Sequence, residues 1–96
     1  MSCEEYSALT FTACGYANFA NGVIDLSVYG SDVFNDNAPY DWYGNPCSER
    51  TLIKSIKFSS GTTYTIDVSN FKYVCFDAKN NNDAYAGVEL RHITLT

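Results

Sequence analysis

Apolar and polar residues alternate one for one along several short stretches of this chain, and no window sustains the i, i+3, i+4, i+7 apolar stripe of an amphipathic helix. Leu9, Phe11 and Ala13 alternate with Ala8, Thr10 and Thr12, and Ile24, Leu26 and Val28 alternate with Asp25 and Ser27. Each set predicts a half-buried strand, because successive side chains of a strand point to opposite faces. Between them, 14–22 carries Gly and Asn residues that tolerate a turn.

Leu52, Ile56 and Phe58 share one parity with Lys54, while Ile53 shares the other with Ser55 and Lys57, a pattern expected of a strand partly covered on both sides. After a turn at Ser59-Ser60-Gly61, Tyr64, Ile66 and Val68 alternate with Thr65 and Asp67. A short strand then places Val74 and Phe76 on one face and Tyr73 and Cys75 on the other. In the last strand, 87–96, Val88 and Leu90 have one parity and Ile93 and Leu95 the opposite one, so a β-bulge near Arg91-His92 is needed to keep all four inside.

About six short strands predict an all-β fold, a small antiparallel β-sandwich or jelly-roll-like barrel forming one domain over 1–96. A chain of 96 residues buries roughly 60–65% of its unfolded surface, enough for one modest core. Two segments, 31–49 and 77–86, do not read as strands.

The 31–49 segment exceeds the roughly 12–15 residues beyond which loops of compact domains are usually functional or disordered. Phe34, Tyr40, Trp42 and Tyr43 are interleaved there with Asp32, Asn35, Asp36, Asn37, Asp41 and Asn45. Flat amphipathic rings beside short hydrogen-bonding side chains suit a recognition surface. Phe34, Tyr40, Asp41, Trp42 and Tyr43 are the candidate binding residues. The competing reading folds Phe34 and Trp42 inward as a plug over one end of the sandwich.

Charge is polarised along the chain. The first 49 residues hold seven carboxylates and no Lys or Arg, and all six basic residues lie from Arg50 onward, for a net charge of −5. An acidic half lacks the clustered cations that phosphate backbones or anionic lipid require, so neither nucleic acid nor a membrane is an expected partner. No apolar run reaches the roughly 18 residues of a membrane span, and the start lacks the basic and apolar regions of a secretory signal. The chain is therefore expected to remain where it is synthesised.

Cys3, Cys14, Cys47 and Cys75 form no C-x-x-C knuckle, and the lone His92 completes no zinc set. They read first as free or buried thiols, with a disulfide framework as the alternative. Asp77, Asn81 and Asp83 are oxygen donors at even-numbered spacings, but the glycine and glutamate of an EF-hand loop are missing and Lys79 fills a ligand slot. A solvated turn is expected there, with no metal and no cofactor. Catalysis is not expected either: there is no G-x-S-x-G elbow, no H-E-x-x-H and no phosphate-cradling glycine run, and His92 falls within a strand.

Phe34-Asn35-Asp36 followed by Arg50 to Phe58 resembles the closing strands of jelly-roll carbohydrate-binding modules, at a spacing one residue shorter. Ser55-Ile56-Lys57 and Tyr85-Ala86-Gly87 resemble parts of βγ-crystallin domains, with a different aromatic spacing before Gly87. Both likenesses are local, and the chain is assigned to neither family.

The expectation is a non-catalytic structural or interaction protein with a protein partner or self-association, such as an accessory or decoration subunit of a larger assembly like a virion. One alternative is a glycan-binding β-sandwich module in which Trp42 and Tyr40 or Tyr43 stack on sugar faces, with or without calcium. The other is an acidic inhibitor whose carboxylates mimic nucleic acid.

Overall fold

The computed structural model describes residues 1–17, 19–34, 47–81 and 86–96. Among these residues eight strands follow in order: β1 (Ala8–Ala17), β2 (Ile24–Ser31), β3 (Val33–Phe34), β4 (Cys47–Ser48), β5 (Thr51–Lys57), β6 (Thr62–Asp67), β7 (Tyr73–Asn80) and β8 (Ala86–Leu95). Six of them build two antiparallel three-stranded sheets, β6-β1-β8 and β5-β2-β7, and β3 pairs with β4 in a short two-stranded ladder. No helix occurs among the described residues. The architecture is a small β-sandwich, with the first two strands at the centres of the two sheets.

The core lies where the alternation places it. Leu9, Phe11 and Ala13 of β1 face Ile24, Leu26 and Val28 of β2, joined by Ile56, Phe58, Ile66, Val68 and Val74. Phe11 meets Phe76 edge-on across the sheets, with ring centroids 5.4 Å apart, and Phe19 stacks on Phe58 at 4.7 Å. Such rings contribute large buried area and a favourable quadrupole geometry in one contact. The N-terminal residues extend the second sheet: Ser2 bridges to Tyr73, and Val74 donates to the Met1 carbonyl at 2.9 Å.

The expected bulge in the last strand is present. Thr10 pairs with Thr94 and Thr12 with Arg91, so His92 and Ile93 together oppose Phe11, and His92 takes φ 54°. That extra residue resets the parity, and Val88, Leu90 and Leu95 all pack on the core. Ile93 does not follow them: it stays 45% exposed within the bulge.

A second bulge, in β5, overturns the expected pattern there. Val28 pairs with Lys54 and Tyr29 with Leu52, which leaves Ile53 as the additional residue. Ile53 packs against the core, while Leu52 turns outward beside Tyr29 and is 52% exposed. The shift inserts an isoleucine into the core without taking the Lys54 ammonium with it, which avoids burying an unpaired charge.

The loop expectations also change at their margins. Ser31 belongs to β2, residues on both sides of 35–46 form β3 and β4, and β7 runs to Asn80. Lys79 and Asn80 have poor strand propensity, but their backbones pair with Asp25 and Ile24 of β2 and both residues are exposed at the end of the strand, so pairing overrides propensity.

Candidate functional site

Strands β2, β5 and β7 present alternate residues to the outside, and cross-strand partners share a face. One outward row runs Leu52, Tyr29, Cys75, and the next runs Ser55, Ser27, Asp77. Arg50 lies across both. Its guanidinium carbon is 4.1 Å from the Tyr29 ring centroid, and Nη2 is 2.8 Å from Asp77 Oδ2. The guanidinium also hydrogen-bonds to Cys75, which is buried although it sits on the outward face.

Burial alone would lower the Arg50 pKa, but the Asp77 carboxylate, its hydrogen bond and that to Cys75 outweigh this and hold the guanidinium above its ordinary value. Arg50 is therefore a permanent cation spanning β2 and β7. It is also the first basic residue of the chain, and it closes the acidic segment.

The segment is gathered at its base by local chemistry. Ser31 Oγ accepts from the Val33 amide at 3.0 Å, and Asp32 Oδ1 accepts from the Lys72 amide at 3.2 Å. Val33 then pairs with Ser48 and Phe34 with Cys47, so residues 34 and 47 lie side by side. Glu49, at φ 50°, separates β4 from β5 and Arg50 follows it directly. Among the candidate binding residues, Phe34 is placed in β3 at this stem. Tyr40, Asp41, Trp42 and Tyr43 lie outside the described residues.

Sequence reasoning missed Arg50 and Tyr29, and it read Asp77 only as an oxygen donor of a turn, not as the partner of Arg50. Their separation along the chain hides the contact, which only the pairing of β2 with both β5 and β7 creates. Of the oxygen donors singled out near β7, Asp77 is taken by Arg50, and Asn81 donates to Asp25 Oδ2 at 2.8 Å. Asp83 lies outside the described residues. Asp25 also holds Lys57 at 3.1 Å, and the Asn81 hydrogen bond, ahead of the lysine, keeps this carboxyl below its usual range. No group of three His, Cys, Asp or Glu side chains suited to a metal ion occurs among the described residues.

Cys3, Cys14 and Cys75 are free thiols. His92 is exposed on an edge strand. No helix among the described residues is long and apolar enough to cross a membrane. No family model, curated protein or solved structure matches the chain.

Proposed function

We propose that this chain is a non-catalytic interaction protein that docks onto a protein partner through the 32–50 segment, as an accessory or decoration subunit of a larger assembly such as a virion. The observation that supports this reading is the clamped stem. Val33–Phe34 and Cys47–Ser48 form a ladder at its base, and Arg50 ties the end of the segment to Tyr29 and Asp77 on the sheet. Sites held by rigid elements lose less entropy on binding than free loops do.

The chemistry of the segment defines the partner. Asp36 and Asp41 suit a surface carrying Lys or Arg, and Phe34, Tyr40, Trp42 and Tyr43 suit apolar pockets between those cations. Leu52 and Val33, both exposed near the stem, extend the apolar contact.

The test is affinity capture from cells that express the protein, comparing the natural chain with Trp42→Ala and Asp41→Asn, followed by titration with the purified captured protein. Loss of one defined protein with Trp42→Ala, and weaker but less salt-sensitive binding with Asp41→Asn than in the natural chain, is the expected result. Binding unchanged in both variants would refute it, and a Trp42-dependent response to oligosaccharides alone would replace the protein partner with a glycan.

A further inference from the structure

A β-sandwich of two open sheets has four lateral edges, and each exposes a row of backbone groups able to pair with another chain unless it is blocked. Three are blocked here. The β5 edge carries the bulge at Ile53 together with Lys54 and Lys57. The β8 edge carries the bulge at His92 together with Glu89 and Arg91. On the β7 edge, residues 1–3 cover the start of the strand through the Ser2–Tyr73 bridge and the Val74–Met1 bond, and the exposed Lys79 stands on the remainder.

Among the described residues, the fourth edge, β6, has none of these devices. Its register with β1 runs unbroken from Ala8–Asp67 to Ala13–Thr62. The sequence Thr-Thr-Tyr-Thr-Ile-Asp contains no proline and no cation, and β-branched and aromatic residues fill it up to the final Asp67. Thr62, Thr63, Thr65 and Asp67 are all exposed.

The bonding phase of this edge follows from its neighbour. Val68 donates to Ser7 at 2.9 Å, and bonded positions alternate along an antiparallel pair, so Ile66, Tyr64 and Thr62 address β1. The backbone groups of Thr63, Thr65 and Asp67 consequently point away from the sheet. Thr10 and Thr65 hydroxyls lie 3.1 Å apart and those of Thr12 and Thr63 2.9 Å apart, as expected of the closer, non-bonded pairs in such a ladder.

We propose that a second copy of this chain pairs with β6, edge to edge and antiparallel, about a two-fold axis at Thr65. This deepens the assembly reading by naming a second copy and a surface, and it uses no residue of the 32–50 segment. In that register Thr65 bonds the copy's Thr65, and Thr63 bonds the copy's Asp67. Every outward residue on both copies then donates and accepts. Tyr64 comes opposite the copy's Ile66 on the inner face. The two Asp67 carboxylates stand about 13 Å apart along the ladder, beyond strong repulsion in salt. The result is one continuous six-stranded sheet across a self-complementary interface.

The experiment is sedimentation equilibrium on the full chain over a concentration series, with amide hydrogen exchange read at low and high concentration. The natural chain is expected to approach twice its 10.7 kDa mass, with Thr63, Thr65 and Asp67 amides gaining protection. Thr65→Lys sets two ammonium groups face to face on the axis and should weaken the dimer about ten-fold or more. Thr65→Val should retain it. Thr94→Lys, on the same face but on β8, should retain it also, and so should Trp42→Ala.

A chain that remains monomeric throughout overturns the proposal. So does a dimer indifferent to Thr65→Lys, one lost equally in Thr94→Lys, or one whose protected amides lie elsewhere. Association lost in Trp42→Ala alone would place self-association in the 32–50 segment, leaving the docking reading intact and removing this one. If Thr65→Lys fails to fold, the exchange pattern of the natural chain decides the matter.

Discussion

Arg50 stands over Tyr29 with its guanidinium carbon 4.1 Å from the ring centroid, although 20 residues of the chain, mostly acidic or aromatic or small, lie between them. The contact combines a cation on an aromatic face with an ion pair to Asp77, and both side chains of that pair are partly exposed, at 32% and 44%. Solvent screening limits the ion pair to about 0.5–1 kcal/mol, and the ring contact contributes a similar amount. A double-mutant cycle of Tyr29→Leu and Arg50→Ala, read by urea unfolding, should give a coupling of about 0.5–1 kcal/mol. Arg50→Lys should lose most of it, because an ammonium cannot stack and pair in the same plane. Additivity within error would show that the two side chains are only neighbours.

Three strand glycines lie beneath aromatic rings: Gly15 under Phe19, Gly30 under Phe71 and Gly87 under Tyr16. A methyl group at Gly30 would overlap the Phe71 ring, which itself packs against the core. Gly30→Ala should therefore destabilise the fold by about 1–3 kcal/mol, the usual penalty of overpacking. The paired change Gly30→Ala with Phe71→Leu should recover part of that loss. A thermal melt of Gly30→Ala indistinguishable from the natural chain would contradict the packing described.

Among the described residues, three carboxyls have depressed pKa values: Asp25 through Asn81 and then Lys57, Asp67 through the Ser69 side chain and amide, and Glu89 through Arg91. A carboxyl lowered by folding adds stability above its unfolded pKa, about 4, and that stability is lost as pH falls through the lower folded value. Urea midpoints should hold steady from neutrality to about pH 5 and decline below about pH 4. Asp25→Asn should make that acid decline shallower. An identical acid limb in the variant would remove Asp25 from the account.

Burial pushes the Cys3 thiol above its ordinary pKa, and its Sγ lies 3.4 Å from the Phe71 carbonyl. Cys75 is also buried, under Arg50, whereas Cys14 is partly exposed on β1. Because the thiolate is the reactive form, iodoacetamide should label Cys14 well before Cys3 or Cys75 in the folded protein. Peptide mapping over time checks the order, and early labelling of Cys3 would show that the N-terminal residues do not hold β7.

Most of the main strands were legible because their one-for-one alternation matches one buried face, as at Leu9-Phe11-Ala13 and Ile24-Leu26-Val28. The bulge in β8 was legible for the same reason: Val88 and Leu95 cannot share a face without an extra residue. The bulge in β5 was hidden because Leu52 and Ile53 are both apolar, and either parity gives an acceptable strand. Strands of two residues, such as β3 and β4, carry no period at all, and residues 1–3 pair with β7 through backbone groups that every sequence possesses. The aromatic and acidic content of 31–49 was visible, but the Arg50 clamp at its base depends on contacts between distant strands. That is pairing information, which a local pattern does not hold.

The order of strands in the two sheets fixes when this chain can fold during its synthesis. β1 is paired with β6 and β8, and β2 with β5 and β7. Both central strands therefore emerge from the ribosome well before any neighbour exists, and they carry Leu9, Phe11, Ile24 and Leu26 uncovered. A nascent chain halted before β5 has no ladder to form in either large sheet, and one halted before β8 leaves one flank of β1 open. With such distant pairings the search for the native ladder falls on the millisecond-to-second scale typical of β-sandwiches. The ladders thus begin only once β5 and β6 have been made, and the early strands are the natural clients of a holding chaperone.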